Sequence, residues 1–168
     1  MSSSDRARRR WLTAGAALAA ASLAGCGFRL RRPPQMRFER VALTGFAPFS
    51  PLAAELRRQL LPGVRVVDDL ATAQVVVHAL ADTRERSVVA STAAAQVREL
   101  QLRVKLHVRA AAPGGRELMA AVELRQSRDL SYSETAALAK QHEEAALFRE
   151  MEADVALQLL QRLAAIQP

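Results

Sequence analysis

The sequence predicts an α/β chain of the α+β two-layer kind: a mixed sheet of about four strands covered on one face by two α-helices, preceded by a signal peptide. Three observations predict it. Apolar and polar residues alternate without a break from Glu99 to Ala110, an apolar stripe recurs at helical spacing from Phe148 onward, and a basic start runs into an alanine-rich segment. With 168 residues, 50% hydrophobic and 24% charged, the chain has a globular composition and the length of one domain.

Arg6, Arg8, Arg9 and Arg10 form a basic opening, and Trp11 to Leu23 form an apolar run. A membrane-crossing helix needs about 20 apolar residues, so this shorter run reads as a signal peptide over residues 1–25. The Arg8-Arg9-Arg10-Trp11-Leu12 run also resembles a twin-arginine signal, and the export route stays open. The apolar run ends in Leu23-Ala24-Gly25-Cys26, which resembles the bacterial lipobox. Small residues at Ala24 and Gly25 let a peptidase grip an extended backbone, and a thiol at Cys26 can carry a diacylglyceryl thioether. Each buried CH₂ of such a chain contributes about 0.8 kcal/mol, so several acyl chains give a stable lipid anchor. Cys26 is the only cysteine, which excludes an internal disulfide. It is followed by Gly27 rather than aspartate, a pattern that resembles sorting to the outer membrane, with the domain facing the periplasm.

Residues 26–36, with Arg29, Arg31, Arg32, Pro33 and Pro34, read as a lipidated, extended tether, and residues 37–168 as a single domain. Loss of residues 1–25 removes four arginines and one aspartate, so the formal charge falls from +7 to +4. With no stacking-platform motif and that modest charge, nucleic acid is not expected as a partner.

Within the domain, Arg37 to Leu43 is a short strand candidate. Ser50-Pro51 supplies an N-cap with proline at the first helical position, followed by Leu52, Leu56 and Leu60 and stopped at Pro62-Gly63. Val64 to Val67 is a second short strand. Ala73 to Ala81 is a longer one that can extend through Arg84 and Arg86 to Val89. Glu99 to Ala110 and the alternating run from Leu118 to Leu124, joined at Pro113-Gly114-Gly115, form a hairpin. The final helix is expected to begin near Ser131 to Thr135, where Ser131 and Glu134 have capping-box spacing. Its apolar stripe is Phe148, Met151, Val155, Leu159, Leu163 and Ile166, and its wet face carries Glu143, Glu144, Arg149, Glu152, Asp154 and Gln158.

Enzyme chemistry has no foothold here. His78, His107 and His142 have no partner at metal-ligand spacing, no serine sits in a G-x-S-x-G elbow, and no glycine-rich phosphate loop occurs. Adjacent Asp68 and Asp69 read as a solvated turn. Neither catalytic residues, nor a metal site, nor a cofactor is expected. Basic residues gather instead at Arg84 and Arg86, at Arg98, Arg103, Lys105 and Arg109, and at Lys140. Arg103, Lys105 and Arg109 share one strand face, either as a solvated stripe that guards the sheet or as a contact for phosphate or an acidic surface.

Taken together, the chain resembles the LptE family of lipopolysaccharide-assembly lipoproteins. The resemblance rests on Cys26-Gly27-Phe28-Arg29-Leu30-Arg31, on Arg98-Glu99-Leu100-Gln101-Leu102 leading to Pro113-Gly114, and on Ala137-Leu138-Ala139-Lys140 with Glu143-Glu144 and the helix from Arg149 to Leu163. It implies two helices on a mixed four-stranded sheet and a non-enzymatic plug inside the β-barrel LptD, assisting barrel assembly and passage of lipopolysaccharide to the outer leaflet. It also implies lipopolysaccharide contact at Lys140, with Arg98 and Arg86 as further candidates, since the segment Ser91-Thr92-Ala93-Ala94-Ala95-Gln96 lacks a basic residue that some relatives carry. The barrel contact would fall to Arg103, Lys105 and Arg109, whose polar face suits a polar lumen wall. From another class, a freestanding periplasmic lipoprotein that binds a lipid or peptide would instead need an internal apolar cavity.

Overall fold

The computed structural model describes residues 34–91 and 96–168. The expected signal peptide, Cys26, tether residues 26–33 and loop residues 92–95 lie outside the described residues. Pro34–Pro168 forms a compact unit that carries the whole described core.

Strand β1 spans Arg40–Thr44, helix α1 Pro51–Leu60, β2 Arg65–Val66, β3 Val75–Ser91, β4 Val97–Ala111, β5 Glu117–Ser131 and helix α2 Ala137–Leu163. The sheet order is β2-β1-β3-β4-β5. β1 runs parallel to β2 and β3, while β3, β4 and β5 form an antiparallel meander. The sheet thus counts five strands, because the short candidate at 64–67 pairs through the two residues of β2. Both helices pack on one face and on each other.

Local chemistry explains most boundaries. Ser50 Oγ accepts from the Ala53 backbone N–H at 3.0 Å, and Pro51 opens α1 with a φ already suited to a helix. Asp69 Oδ1 accepts from Ala71 N–H at 3.0 Å and caps the 3-10 turn Leu70–Thr72, so the Asp68-Asp69 pair is a turn device. The alternation of β4 sends Leu100, Leu102, Val104, Leu106, Val108 and Ala110 into the core, against Met151, Val155, Leu159 and Leu163 of α2 and Leu52 and Leu56 of α1. Burying each such leucine contributes about 1.5–3 kcal/mol.

Two expectations are corrected. The last helix starts past the expected Ser131 to Thr135 and without the capping box: Ser131 ends β5, Glu134–Ala136 is a 3-10 turn without a side-chain cap, and α2 begins at Ala137. Ser131 instead pairs in register with Glu99 of β4, which keeps it in the strand. Ile166 lies past the helix end yet is buried against the same core. Glu152, placed by spacing on the wet face, is only 5% exposed.

The reason for the second correction lies in β3. A bulge between Ala79 and Ala81 inserts Leu80 as an extra residue and reverses which side chains face the helices. Before it, Val75, Val77 and Ala79 point to the core. After it, Asp82, Arg84, Arg86 and Val88 stand opposite Leu106, Val104, Leu102 and Leu100, on the helix side. The chain leaving β1 crosses this bulge at Gly45, whose φ is +75°, and a Cβ there would sit 2.2 Å from the Ala79 carbonyl oxygen. Only glycine fits that crossing.

Candidate functional site

The bulge decides where the basic residues go. Arg84 reaches Glu152 on α2 at 3.6 Å and lies over the Phe148 ring, 3.8 Å from its centroid. It therefore ties the long β3 to α2. Burial pushes the Glu152 carboxyl above its ordinary value; the Arg84 charge opposes this, and Asp82 and Glu55 nearby reinforce it. On α1, burial would likewise raise Glu55, but hydrogen bonds from Arg58 and Gln59 and the Arg58 charge outweigh it and hold Glu55 below the usual carboxylate value.

The three residues expected at lipopolysaccharide gather at the end of the sheet where β3 turns toward β4. Lys140 Nζ donates to Ser131 Oγ at 3.2 Å and to Glu143 Oε2 at 2.8 Å. Arg86 lies 3.6 Å from Glu144. Arg98 adjoins this end through its carbonyl, which accepts from Tyr132 N–H at 2.8 Å, and its guanidinium has no ion pair among the described residues. Lys140 and Arg86 thus already hold carboxylates, which a phosphate would have to displace. Val88, Val89 and Leu138 are exposed at the same end.

Arg103, Lys105 and Arg109 lie on the opposite, helix-free face. Lys105 Nζ is 3.1 Å and Arg103 Nη1 3.9 Å from the Glu85 carboxylate, so one acid serves two cations. Arg103 also donates to Gln101 Oε1 through both Nε and Nη2. Arg109 is exposed opposite His78. Lys105 stands beside Arg125 and Arg103 beside Ser127 in register. A surface depression of about 540 Å³ runs along this part of β5, lined by Arg103, Lys105, Arg125 and Arg128 among others. Arg125 and Arg128 were not singled out in the sequence; continuing the alternation of the fifth strand beyond Leu124 would have found the first. Arg128 points to the helix side and pairs with Asp154 at 3.6 Å.

Of the histidines, His78 shares a 2.9 Å hydrogen bond with Thr44 Oγ1. Among the described residues no group of three His, Cys, Asp or Glu side chains could hold a metal ion, and no helix is long and apolar enough to cross a membrane. The space between sheet and helices is filled by the hydrophobic core; of the surface depressions, those along β5 and beside β1 and β2 are lined largely by polar groups, and one before α1, lined by Leu43, Phe46, Pro48 and Phe49 among others, is mainly apolar. Cys26 lies outside the described residues.

Residues 38–163 match the family model LptE, described as lipopolysaccharide-assembly. The chain is 31% identical over 164 residues to the LPS-assembly lipoprotein LptE of Pectobacterium atrosepticum, covering 95% of this chain and 88% of that one. It is 32% identical over 162 residues to the protein of the same name from Photorhabdus laumondii, covering 93% and 86%. Its fold is similar to the solution NMR structure of an uncharacterized lipoprotein B from Nitrosomonas europaea. The TM-score there is 0.69 at 27% identity, over 83% of this chain and 91% of that one.

Proposed function

This chain belongs to the LptE family, and on that premise we propose that it is a non-enzymatic outer-membrane lipoprotein of lipopolysaccharide assembly. It is held by lipid on Cys26 and works as the plug and partner of the LptD β-barrel, assisting barrel assembly and the insertion of lipopolysaccharide into the outer leaflet. The family match across 38–163 carries this reading. Two features of the domain support it. A solid core sandwiched between sheet and helices makes a rigid wedge, and the helix-free face offers Arg103, Lys105, Arg109 and Arg125 to a polar lumen wall.

Lipopolysaccharide contact is assigned to Lys140, Arg98 and Arg86. Lys140 is the leading residue: its side chain is only 20% exposed and is aimed by Ser131 and Glu143, so its ammonium is positioned before a phosphate arrives. A phosphate bearing two charges competes with the single charge of Glu143. Arg98 adds a guanidinium that holds no ion pair among the described residues.

The partner is tested by depletion and mild-detergent pull-down: loss of surface lipopolysaccharide and recovery of a large barrel protein are expected, and normal export after depletion overturns the reading. Lys140→Asp is expected to weaken lipopolysaccharide binding about tenfold or more, given about 1.5–3 kcal/mol for a charge-assisted hydrogen bond; unchanged binding removes Lys140 from the site. Palmitate labelling that is lost in Cys26→Ser tests the anchor.

A further inference from the structure

We propose that the outer edge of β5, over residues 122–131, takes up an extended segment of the barrel partner as a further strand of the sheet. This rests on the reading of the domain as a plug in the barrel lumen and deepens it, because it names the backbone surface through which the two chains join.

β5 ends the sheet order, so one side of it has no neighbouring strand. Its pairing with β4 runs unbroken from the Glu99/Ser131 pair to the Val108/Val122 pair, and the register shifts fall beyond Val108. Tyr132 fixes the hydrogen-bond phase of this ladder, since its N–H donates to the Arg98 carbonyl at 2.8 Å. In an antiparallel pair, successive residues turn their N–H and C=O groups alternately toward the partner strand and away from it. Counting back from Tyr132, the even-numbered residues 130 to 122 bond to β4, while Ser131, Asp129, Ser127, Arg125 and Glu123 direct both groups outward. The Ser127 carbonyl agrees with this phase, because it accepts from Arg128 Nη1 at 2.9 Å. All five outward residues are exposed.

The other open edges are better blunted. β2 has two residues. β3 is open on its outer side once its pairing with β1 ends at His78, and register shifts at Ala79/Ala81 and at Val88/Ala90 bound that stretch at both ends. Short edges and bulges resist the addition of a strand. β5 is irregular only at its start, and residues 122–131 contain no proline. Arg128 is its guard, capping one carbonyl while its Nη2 lies 3.6 Å from Asp154. The charges along the edge are of both signs, so they select a strand by its cross-strand pairs.

The lumen placement decides the occupant. Wall strands of a closed barrel already pair on both sides and offer no edge, so an added strand comes from one of the longer loops of such a barrel, folded inward. The surface depression of about 540 Å³ gives it room: its lining includes the consecutive Arg125, Gln126, Ser127 and Arg128, whose side chains alternate between the two faces, so it reaches across the edge. Charge states the chemistry of the segment. Arg125 has no ion pair among the described residues and stands beside Lys105, which already shares the Glu85 carboxylate with Arg103. Asp129 accepts from Gln101 Nε2 at 3.0 Å. A loop strand with a carboxylate opposite Arg125 therefore gains an ion pair together with the backbone ladder.

Hydrogen exchange tests the strand. The full chain purified alone is compared with the same chain recovered with the barrel from outer membranes in mild detergent, residue by residue, by fragmentation mass spectrometry. Alone, the amides of Glu123, Arg125, Ser127 and Asp129 are expected to exchange fast, and those of Leu124, Gln126, Arg128 and Leu130 slowly. In the complex the fast set should slow about tenfold or more, so that protection no longer alternates. Ser127→Pro removes an outward N–H and no bond to β4, so it should keep the fold by circular dichroism and reduce recovery of the barrel about tenfold. Ser127→Ala keeps that N–H and should recover the barrel fully. The exchange comparison decides even where the proline variant fails to fold. Outward amides that stay fast in the complex, or a folded Ser127→Pro with undiminished recovery, overturn the proposal and leave the partnership standing. Protection of the outward amides in the chain alone that rises with its concentration gives the edge to a second copy and also overturns it. A parent chain that recovers no barrel overturns the plug reading on which the strand depends.

Discussion

Replacing Arg84 with methionine isolates the contact that holds the far half of β3 against α2. Removing one partner of a fully buried ion pair costs about 3–5 kcal/mol. Here the Arg84 side chain is 44% exposed and the separation is 3.6 Å, so solvent screening reduces this to about 1–2 kcal/mol. The stacking over Phe148 at 3.8 Å adds about 0.5–1 kcal/mol. Arg84→Met should therefore lose about 2 kcal/mol, or about 6–8 °C in Tm for a domain of this size. The pH dependence has a definite sign. Because burial raises the Glu152 carboxyl above its unfolded value, its favourable contribution is complete below the ordinary carboxylate value. That contribution is lost as pH rises through the raised one. Without Arg84 the ionised form is worse still, so the deficit of Arg84→Met should be largest at neutral pH and shrink toward acid. Glu152→Gln removes the charge that burial disfavours, and at neutral pH it should match or slightly exceed the parent. Urea unfolding followed by circular dichroism from about pH 4 to 8 measures all three forms. If Glu152→Gln loses as much as Arg84→Met, or the Arg84→Met deficit grows toward acid, the account of this pair is wrong.

Two other outcomes follow from the packing. Gly45→Ala forces a left-handed backbone on alanine and drives its Cβ to 2.2 Å from the Ala79 carbonyl oxygen, so a loss of about 3 kcal/mol or more is expected in the same unfolding assay; a near-neutral alanine variant would show that the crossing is loose. Leu102→Ala, at a fully buried β4 position, should cost about 2–5 kcal/mol, and a value under about 1 kcal/mol would mean the core closes over the gap.

What the sequence by itself determined was local. The period-two run from Glu99 to Ala110 states which residues of β4 are buried, because side chains on an extended strand must alternate. Ser50-Pro51 states where α1 begins, because a hydroxyl three residues before an orphan N–H closes that turn without help from elsewhere. The family, too, was legible, in the order of short segments from Cys26 to the last helix. The tertiary structure decided everything that depends on a partner remote in sequence. Leu80 carries no mark of a bulge, since the extra residue is defined only by the β4 residues it fails to pair. Yet that one residue turns Arg84 and Arg86 toward α2 and makes Glu152 a buried ion. Ser131 and Glu134 have capping-box spacing, but the ladder to Glu99 claimed Ser131 for β5 and moved the helix start to Ala137. Arg40 and Arg65 stand side by side only because two short strands pair across an intervening helix. Spacing along a chain encodes faces, whereas the neighbours across a sheet are set by register, and register is a property of the fold.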